Sequence, residues 1–243
     1  MKEWLINLFN SKRRIQTFKR IGSFENFEVL ERKKYYEMVF FDGSITQLPK
    51  KILIFQNRLS KDDKASLKVG KCTYLQNSKI GIQQDQQVII GSFCSFGPNV
   101  SIKLDAVRGK LQFTSYPLNL IDPSSEAFRK QNELTKECFV KIGNDCFIGE
   151  DSKILANVVI SDGVILGERS FVPAGKYLEP YGIYVGQPVR LIGYRYDDET
   201  IQELLRLQWW NWSQEKIFNS GLQHLDFVNS KVEALLKLKS LEQ

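Results

Sequence analysis

The sequence predicts an all-β core built as a parallel β-helix. The prediction depends on a period of six residues, on the residue types that recur in it, and on its length. Eight successive hexads run through residues 142–189, as IGNDCF, IGEDSK, ILANVV, ISDGVI, LGERSF, VPAGKY, LEPYGI and YVGQPV. An amphipathic helix repeats its apolar residues every ~3.6 residues and a plain strand every ~2, so this period matches neither alone. It is typical of a triangular coil in which each hexad supplies one short strand and one turn.

The residues of the hexads predict which side chains face inward. The first position is always Ile, Leu, Val or Tyr and the second is often Gly; the fifth is mostly small or β-branched, at Cys146, Ser152, Val158, Val164 and Ser170. We expect the first position to stack inside the coil and the fifth to fill its crowded corners. The same pattern occurs at residues 90–101 (IGSFCSFGPNVS), with an outlying VGKCTY at 69–74. Because one coil cannot bury its own face, neighbouring coils supply the core.

A long segment interrupts the repeat. Ile142 follows Ile102 by 40 positions, which is not a multiple of six, so the loop 103–141 resets the phase. Loops of this length inside a compact domain are usually functional or disordered. Within it, DPSSEAFRKQNEL carries a Ser that could cap a short helix.

Two flanking regions differ from the coil of residues 67–194. Residues 1–66 are expected to form a terminal helix and a small β-rich cap, with YYEMVFF and KILIFQ as strands separated by the DGS turn. Residues 195–243 form a predicted helical tail. One amphipathic helix begins at Asp197–Asp198, and a second covers roughly residues 228–240. Trp209, Trp210 and Trp212 are interpreted as packing anchors of that tail.

Charge and cysteine content exclude several classes of function. The net charge is +6, but residues 1–20 hold six basic residues and one acidic residue, which leaves +1 for the rest. A general polyanion field is therefore not expected, and neither is nucleic-acid binding. Cysteines 72, 94, 138 and 146 lack CxxC pairing and a nearby histidine, so no metal site is predicted and all four are expected to be reduced core residues.

The N-terminal segment leaves two alternatives open. Trp4, Leu5, Leu8 and Phe9 share a helical face with basic residues beyond it. This face could contact a membrane surface weakly, or it could pack on its own domain or a partner subunit. No secretory signal and no transmembrane segment is evident, so a cytoplasmic protein is expected.

Several short motifs resemble the hexapeptide-repeat acyltransferases, in particular the xenobiotic (virginiamycin and chloramphenicol type) acetyltransferases and their surface-polysaccharide relatives. They cover about residues 67–220. The motifs are VGKCTY (69–74), IGSFCSFGPNVSI (90–102), FTSYPL (113–118), IGNDCFIGEDSKIL (142–155) and PYGIYVGQPVRLIGYRYDDETI…WWNW (180–212). The resemblance implies a left-handed β-helix, a homotrimer, and acetyl-coenzyme A in grooves between subunits. The acceptor would be a sugar or nucleotide sugar.

The resemblance also assigns candidate binding residues. Gly186 and Pro188 would lie near the adenine of the coenzyme, Arg190 replaces a lysine near its phosphates, and Arg195 could assist. Gly167, Ser170 and Ala174 could line the groove or simply form coil corners. Tyr74 and Tyr116 would line the acceptor pocket.

The expected catalytic histidine is missing. The family carries an Asn-His pair nine and eight residues before the Tyr-Pro of its loop, where this chain has Val107 and Arg108. The only histidine, His224, lies in the tail outside the matched region. An arginine stays protonated and cannot act as a general base, although Arg108 can bind an anion, cap the loop or pair across the trimer. Zinc-dependent carbonic anhydrase and the Asp/His couple of serine acetyltransferase are excluded for the same reason.

This departure divides the functional hypotheses. A sugar hydroxyl needs a base, whereas an amine with a pKa near ~8 is partly neutral at pH 7 and can attack a thioester unaided. N-acetylation of an amino sugar in surface-polysaccharide synthesis is therefore favoured, with Asp105 orienting the ammonium or collecting its proton, or else simply solvated. The alternative is a trimeric scaffold or regulatory subunit that has lost activity.

Overall fold

A computed structural model describes residues 27–31, 35–40, 45–49, 66–82, 86–104 and 138–220. These residues form seventeen strands, two α-helices and a 3₁₀ turn. The strands are β1 Phe27–Glu31, β2 Tyr35–Phe40, β3 Ile45–Pro49, β4 Ser66–Val69, β5 Lys79–Gly81, β6 Gln87–Ile90, β7 Ser95–Phe96, β8 Ser101–Lys103, β9 Phe139–Ile142, β10 Phe147–Ile148, β11 Lys153–Ile154, β12 Val158–Ile160, β13 Ile165–Leu166, β14 Phe171–Val172, β15 Tyr177–Leu178, β16 Gly182–Gly186 and β17 Val189–Tyr194. The helices are α1 Asp198–Leu207 and α2 Gln214–Ser220, with the 3₁₀ turn Trp209–Asn211 between them.

The N-terminal strands form a separate antiparallel sheet in the order β1-β2-β3. Strand β2 lies in the predicted YYEMVFF segment. Strand β3 starts directly after the DGS turn, at Ile45, and was not predicted; the predicted KILIFQ strand lies outside the described residues. Ile45 and Thr46 provide the β-branched residues that favour a strand immediately beyond the turn. The predicted β-rich character of this region is confirmed by the three-stranded sheet, and the KILIFQ strand stays a prediction.

The remaining strands form the predicted parallel β-helix with three flat faces. Face I contains β4, β6, β9, β12 and β15; face II contains β7, β10, β13, β16 and β17; face III contains β5, β8, β11 and β14. Neighbours within a face are parallel and in register, except for the antiparallel β16–β17 hairpin. Ile142 pairs with Ile160, 18 residues later, so one coil consists of three hexads. Residues 69–82 form the first coil, as VGKCTY predicted.

Both predicted inward positions are buried. The first-position residues from Ile142 to Tyr184 are at most 4% exposed. The five fifth-position residues from Cys146 to Ser170 are equally buried, including the serines, and Ser152 donates its hydroxyl to the Gly167 carbonyl; the fifth positions of the sixth and eighth hexads, Lys176 and Pro188, are exposed. Cys94, Cys138 and Cys146 lie in the core, but Cys72 is half-exposed, so the prediction that all four cysteines are core residues is wrong for Cys72. Cys72 lies at a turn with φ 55°, which places its side chain at an edge.

The second-position glycines are explained by the stacking of coils. A Cβ on Gly149 would lie 2.5 Å from the Glu168 nitrogen in the next coil, and one on Gly143 would lie 2.6 Å from the Asp162 nitrogen. Contacts this short are excluded by van der Waals repulsion. The recurring glycine therefore permits the close approach of adjacent coils.

The predicted interruption leaves and re-enters the coil at a single edge. Ile90 pairs with Ile142, 52 residues later, where a regular coil has 18, so the chain inserts 34 residues. The coil resumes with β9 at Phe139, slightly before the predicted end of the loop at 141. Residues 105–137, and with them the predicted short helix, lie outside the described residues. The insertion falls between faces III and I.

The C-terminal tail begins as predicted. Asp197 is the N-cap of α1, and its side chain accepts a hydrogen bond from the Thr200 nitrogen at 2.9 Å. The second predicted helix, 228–240, lies outside the described residues, as does His224. Among the helices that the structure describes, none has the length and apolar character required to cross a bilayer.

Candidate active site

The edge between faces I and II is covered by the tail. After β17 the chain runs back along this edge toward the first coil. Trp209 packs on Phe93 with ring centroids 4.8 Å apart, and the Lys71 ammonium donates to the Trp212 carbonyl at 2.6 Å. Trp210 is 4% exposed. Trp209 and Trp210 are thus packing anchors, whereas Trp212 contacts the coil through its backbone carbonyl and its ring centroid lies 4.2 Å from the Lys216 ammonium. The tail therefore closes this edge to a ligand along most of its length.

The tail is fixed to this edge by a half-buried ion pair. Arg195 donates to the Asp145 carboxylate at 2.9 Å and to the Gly163 carbonyl at 2.9 Å. Its guanidinium also lies 5.4 Å from the ring centroid of Tyr181 and 5.5 Å from that of Tyr196. Burial is the largest single influence on the pKa of Arg195 and lowers it, but the charge and hydrogen bond of the Asp145 carboxylate together with the Tyr196 and Tyr181 side chains more than compensate, so that the pKa is raised. Arg195 therefore remains charged and joins the tail to the coil.

Gly163 leaves the space in which the Tyr181 ring lies. Tyr181 is fully buried at a position with φ 56°, and burial raises the pKa of its hydroxyl. A Cβ on Gly163 would lie 2.4 Å from the Tyr181 ring, so only glycine fits beneath it. Ile201 and Leu204 of α1 pack in one cluster with Tyr181.

The edge between faces II and III is open and polar. Equivalent positions of successive coils form a ladder of side chains along it. The Asn77 amide donates to Asn99 at 2.9 Å, Arg169 lies 4.0 Å from Asp151, and the Gln187 amide donates to the Arg169 carbonyl at 2.5 Å. The Arg169 side chain is 80% exposed. This edge is therefore accessible to a polar ligand.

Several predicted coenzyme residues come together at the last coil of this open edge. Gly167 donates its backbone N–H to the Tyr184 carbonyl at 2.8 Å, which places it one coil below Gly186. Gly186 has φ 101°, a conformation that favours glycine, and Pro188 and Arg190 beside it are exposed. An exposed guanidinium beside a glycine turn suits the phosphates of a coenzyme. The sequence prediction did not include Arg169 and Gln187, although their shared hexad position was the available signal.

Three other predicted residues lie elsewhere. Ser170 belongs to the open edge, but the whole residue is only 1% exposed, so it is not accessible to a ligand. Ala174 is exposed on the edge between faces III and I. Arg195 lies on the covered edge. Their assignment to the coenzyme stays a prediction, and the geometry favours the corner interpretation for Ser170 and a packing role for Arg195.

The acceptor residues are described only in part. Tyr74 is 37% exposed and bridges to Ser95, which places it at the first coil of face II. Asp105, Arg108 and Tyr116 lie outside the described residues. Since Leu104 and Cys138 are both buried in the coil, the segment that carries these three residues is attached at the edge between faces III and I.

In the described part of the chain, none of the groups with a shifted pKa could replace the histidine as a general base. Burial raises the pKa of the Cys138 and Cys146 thiols. Hydrogen bonding to the Glu179 carboxylate raises the pKa of Tyr194 to about 12. All these groups stay protonated at neutral pH. No trio of His, Cys, Asp and Glu side chains suited to a metal occurs within the described ranges either.

A coil of stacked hexads with an open polar edge and one long insertion defines the class of the hexapeptide-repeat transferases. The family model described as bacterial transferase hexapeptide (six repeats) matches residues 139–174. A probable macrolide acetyltransferase of Lysinibacillus sphaericus is 36% identical over 159 residues, covering 61% of this chain and 87% of that protein.

Two further relatives are also acetyltransferases. A chloramphenicol acetyltransferase of Morganella morganii is 30% identical, with 63% of this chain and 79% of that protein covered. A virginiamycin A acetyltransferase of Staphylococcus aureus is 30% identical, with 71% of this chain and 82% of that protein covered. The chain belongs to the hexapeptide-repeat transferase family and is an acetyltransferase of that family. The predicted fold class, an all-β core of hexapeptide repeats followed by a helical C-terminal segment, is confirmed.

Proposed function

We propose that this protein transfers an acetyl group from acetyl-coenzyme A to the amine of an amino sugar and works without a catalytic histidine. The observation that carries the proposal is the residue at position 108, because the chain has a single histidine and it lies at position 224. Acetyltransferases of this family use acetyl-coenzyme A. A cytoplasmic location and a role in surface-polysaccharide synthesis belong to the same proposal.

The chemistry follows from the nucleophile. The neutral amine attacks the thioester carbonyl, the C–S bond breaks, and the thiolate of coenzyme A leaves. The ammonium formed on nitrogen then loses one proton. We assign Asp105 as the acceptor of this proton, because it is the carboxylate nearest to position 108 in the sequence. Since an amine of pKa near ~8 is already partly neutral at pH 7, proximity and backbone N–H groups facing the oxyanion suffice.

A homotrimer is part of the proposal. Face II presents an apolar outward column in register, formed by Tyr74, Phe147, Ile165 and Ile183 around Ser95. Phe147 is 42% exposed. An exposed apolar column of this kind suits a subunit contact. The open edge between faces II and III would then border that contact, so Gly186 and Arg190 would line a groove between subunits.

A second candidate acceptor is a hydroxyl-bearing xenobiotic. It is favoured by the 36% identity to the probable macrolide acetyltransferase. This candidate predicts O-acetylation, which the missing base disfavours.

The acceptor hypothesis is tested by assaying purified protein with acetyl-coenzyme A against glucosamine, glucose, chloramphenicol, virginiamycin and a macrolide. We expect transfer to the amine only, with a rate that rises with pH through ~8 because the neutral amine is the reacting form. Asp105→Asn should lower the rate on glucosamine, with Asp122→Asn as a control in the same segment. Transfer to a hydroxyl acceptor that is unaffected by Asp105→Asn would show the proposal to be wrong.

The coenzyme edge gives a separate expected result. Acetyl-coenzyme A should raise the melting temperature of the wild-type protein by mass action. Arg190→Ala should weaken coenzyme binding by about tenfold, as expected for the loss of one charge-assisted hydrogen bond. The measurement is the thermal shift against ligand concentration, with acetyl-pantetheine, which lacks the coenzyme's nucleotide and its 3′-phosphate, as the ligand control. Equal weakening for both ligands would contradict a phosphate contact by Arg190.

A further inference from the structure

The coil separates its charges by face. The described coil, residues 66–82, 86–104 and 138–189, contains six carboxylates, and every one lies on an edge that borders face II. They are Asp145, Asp162 and Glu179 on the edge with face I, and Glu150, Asp151 and Glu168 on the edge with face III. Faces I and III carry no described carboxylate. Their outward charged side chains are all lysines.

The lysines occupy alternating positions of the two sheets. On face I, Lys68 and Lys141 flank Ile89 in one column. On face III, Lys79 and Lys153 flank Ser101, and Lys103 lies beside Gly81 in the adjacent column. All five side chains are exposed and make no ion pair with a described carboxylate. We call them the lysine surface.

This segregation differs from an ordinary solvated surface. Natural surfaces intersperse both signs of charge, and uncompensated like charges cost stability. The coil's near-neutral total thus conceals two cationic faces. They meet at the edge where residues 105–137 are inserted. That segment contains five basic residues, one of which is Arg108, and five acidic residues. The cationic faces therefore flank the attachment point of the proposed acceptor loop.

The spacing of the lysines indicates what they bind. Neighbouring strands are about 4.8 Å apart, so lysines two strands apart repeat at about 10 Å. Duplex DNA carries one negative charge every ~1.7 Å along its axis, so its charges are much more closely spaced than these lysines. A polysaccharide with one carboxylate per one or two sugars has charges at the wider spacing. Ammonium groups also suit isolated carboxylates, whereas arginine is favoured for bidentate phosphate contacts.

From these observations we infer that the lysine surface binds an acidic glycan chain that carries the acceptor sugar. This inference rests on the proposed function, which supplies the sugar acceptor. It adds that the acceptor is polymeric and anionic and is held along faces I and III.

The experiment measures equilibrium binding of the full chain to a defined oligogalacturonate, without acetyl-coenzyme A, against its carboxyl-reduced neutral counterpart. Lys68→Gln/Lys141→Gln and Lys79→Gln/Lys103→Gln/Lys153→Gln should each weaken oligogalacturonate binding by about tenfold, as the loss of two or three exposed charge contacts implies. The control Arg206→Gln/Lys216→Gln removes two charges from the helical tail and should leave binding unchanged. Thermal unfolding checks that every variant is folded.

Three results would overturn the inference. They are equal binding of the neutral glycan, equally tight binding of duplex DNA, and a change of oligomeric mass in the lysine variants, which would make the surface a subunit contact. Because glycan binding is measured independently of acetyl transfer, failure of the proposed function can be distinguished from failure of this inference. Charge-dependent glycan binding with no acetyl transfer to any amine contradicts only the proposed function, and transfer to glucosamine without glycan binding contradicts only the lysine surface.

Discussion

Arg108→His should convert the protein into an efficient O-acetyltransferase. The substitution places an imidazole eight residues before Tyr116, where the family pattern has its histidine. A positioned general base contributes ~10²–10⁴ in rate, so kcat/KM for a hydroxyl acceptor should rise by about that factor. The measurement is thiol release from acetyl-coenzyme A with a sugar or xenobiotic hydroxyl as acceptor.

The pH profile identifies the cause of that gain. An imidazole has an ordinary pKa near ~6.5 and acts as a base only when neutral, so the new activity should rise through that pH and level off above it. Val107→His moves the same imidazole by one residue and should gain little, because a base must lie within hydrogen-bonding reach of its proton. Arg108→Gln removes the charge without adding a base and should also gain nothing. Equal gains in all three variants would contradict a base at position 108.

The fold was predictable because its physical cause is local and repeated. The first and fifth positions of most hexads face inward, so residues such as Ile148 and Leu166 indicate a coil from local sequence alone. The glycines at the second position add an independent constraint, since a Cβ there would strike the next coil. The start of α1 was predictable for a similar reason, because an Asp cap and its helix are adjacent in sequence.

The functional positions were less predictable because hexad position alone does not distinguish ligand contact from packing. Ser152 and Ser170 have the same sequence environment, and both prove to be buried corners. Arg195 follows a family-like motif, but its partner Asp145 lies 50 residues earlier and is brought close only by the return of the tail. The charge separation of the faces was also hidden in the sequence, because it depends on which hexads share a face.

The ion pair of Arg195 should be the largest single electrostatic contribution to stability in the described part of the chain. The side chains of Arg195 and Asp145 are only 21% and 23% exposed, and the pair is extended by a hydrogen bond to the Gly163 carbonyl. Removing one partner of such a pair leaves the other desolvated without compensation. We expect Arg195→Ala to lower the free energy of unfolding by about 3 kcal/mol, the lower end of the range for a buried pair.

For a chain of this size the loss corresponds to a fall in melting temperature of about 6–12 °C, measured by calorimetry. Arg206→Ala is the matched control: its pair with Glu203 lies within one helix, its side chain is 49% exposed, and its loss should cost at most about 0.5 kcal/mol. Asp145→Asn keeps a residue that tolerates the local φ of 55° and tests the charge alone. If the ion pair fastens the tail, the double variant Arg195→Ala/Asp145→Asn should be less destabilised than the sum of the two single variants, because each single change already breaks the same contact. Additive losses would mean that Arg195 stabilises the tail through Tyr181 and Tyr196 and not through Asp145.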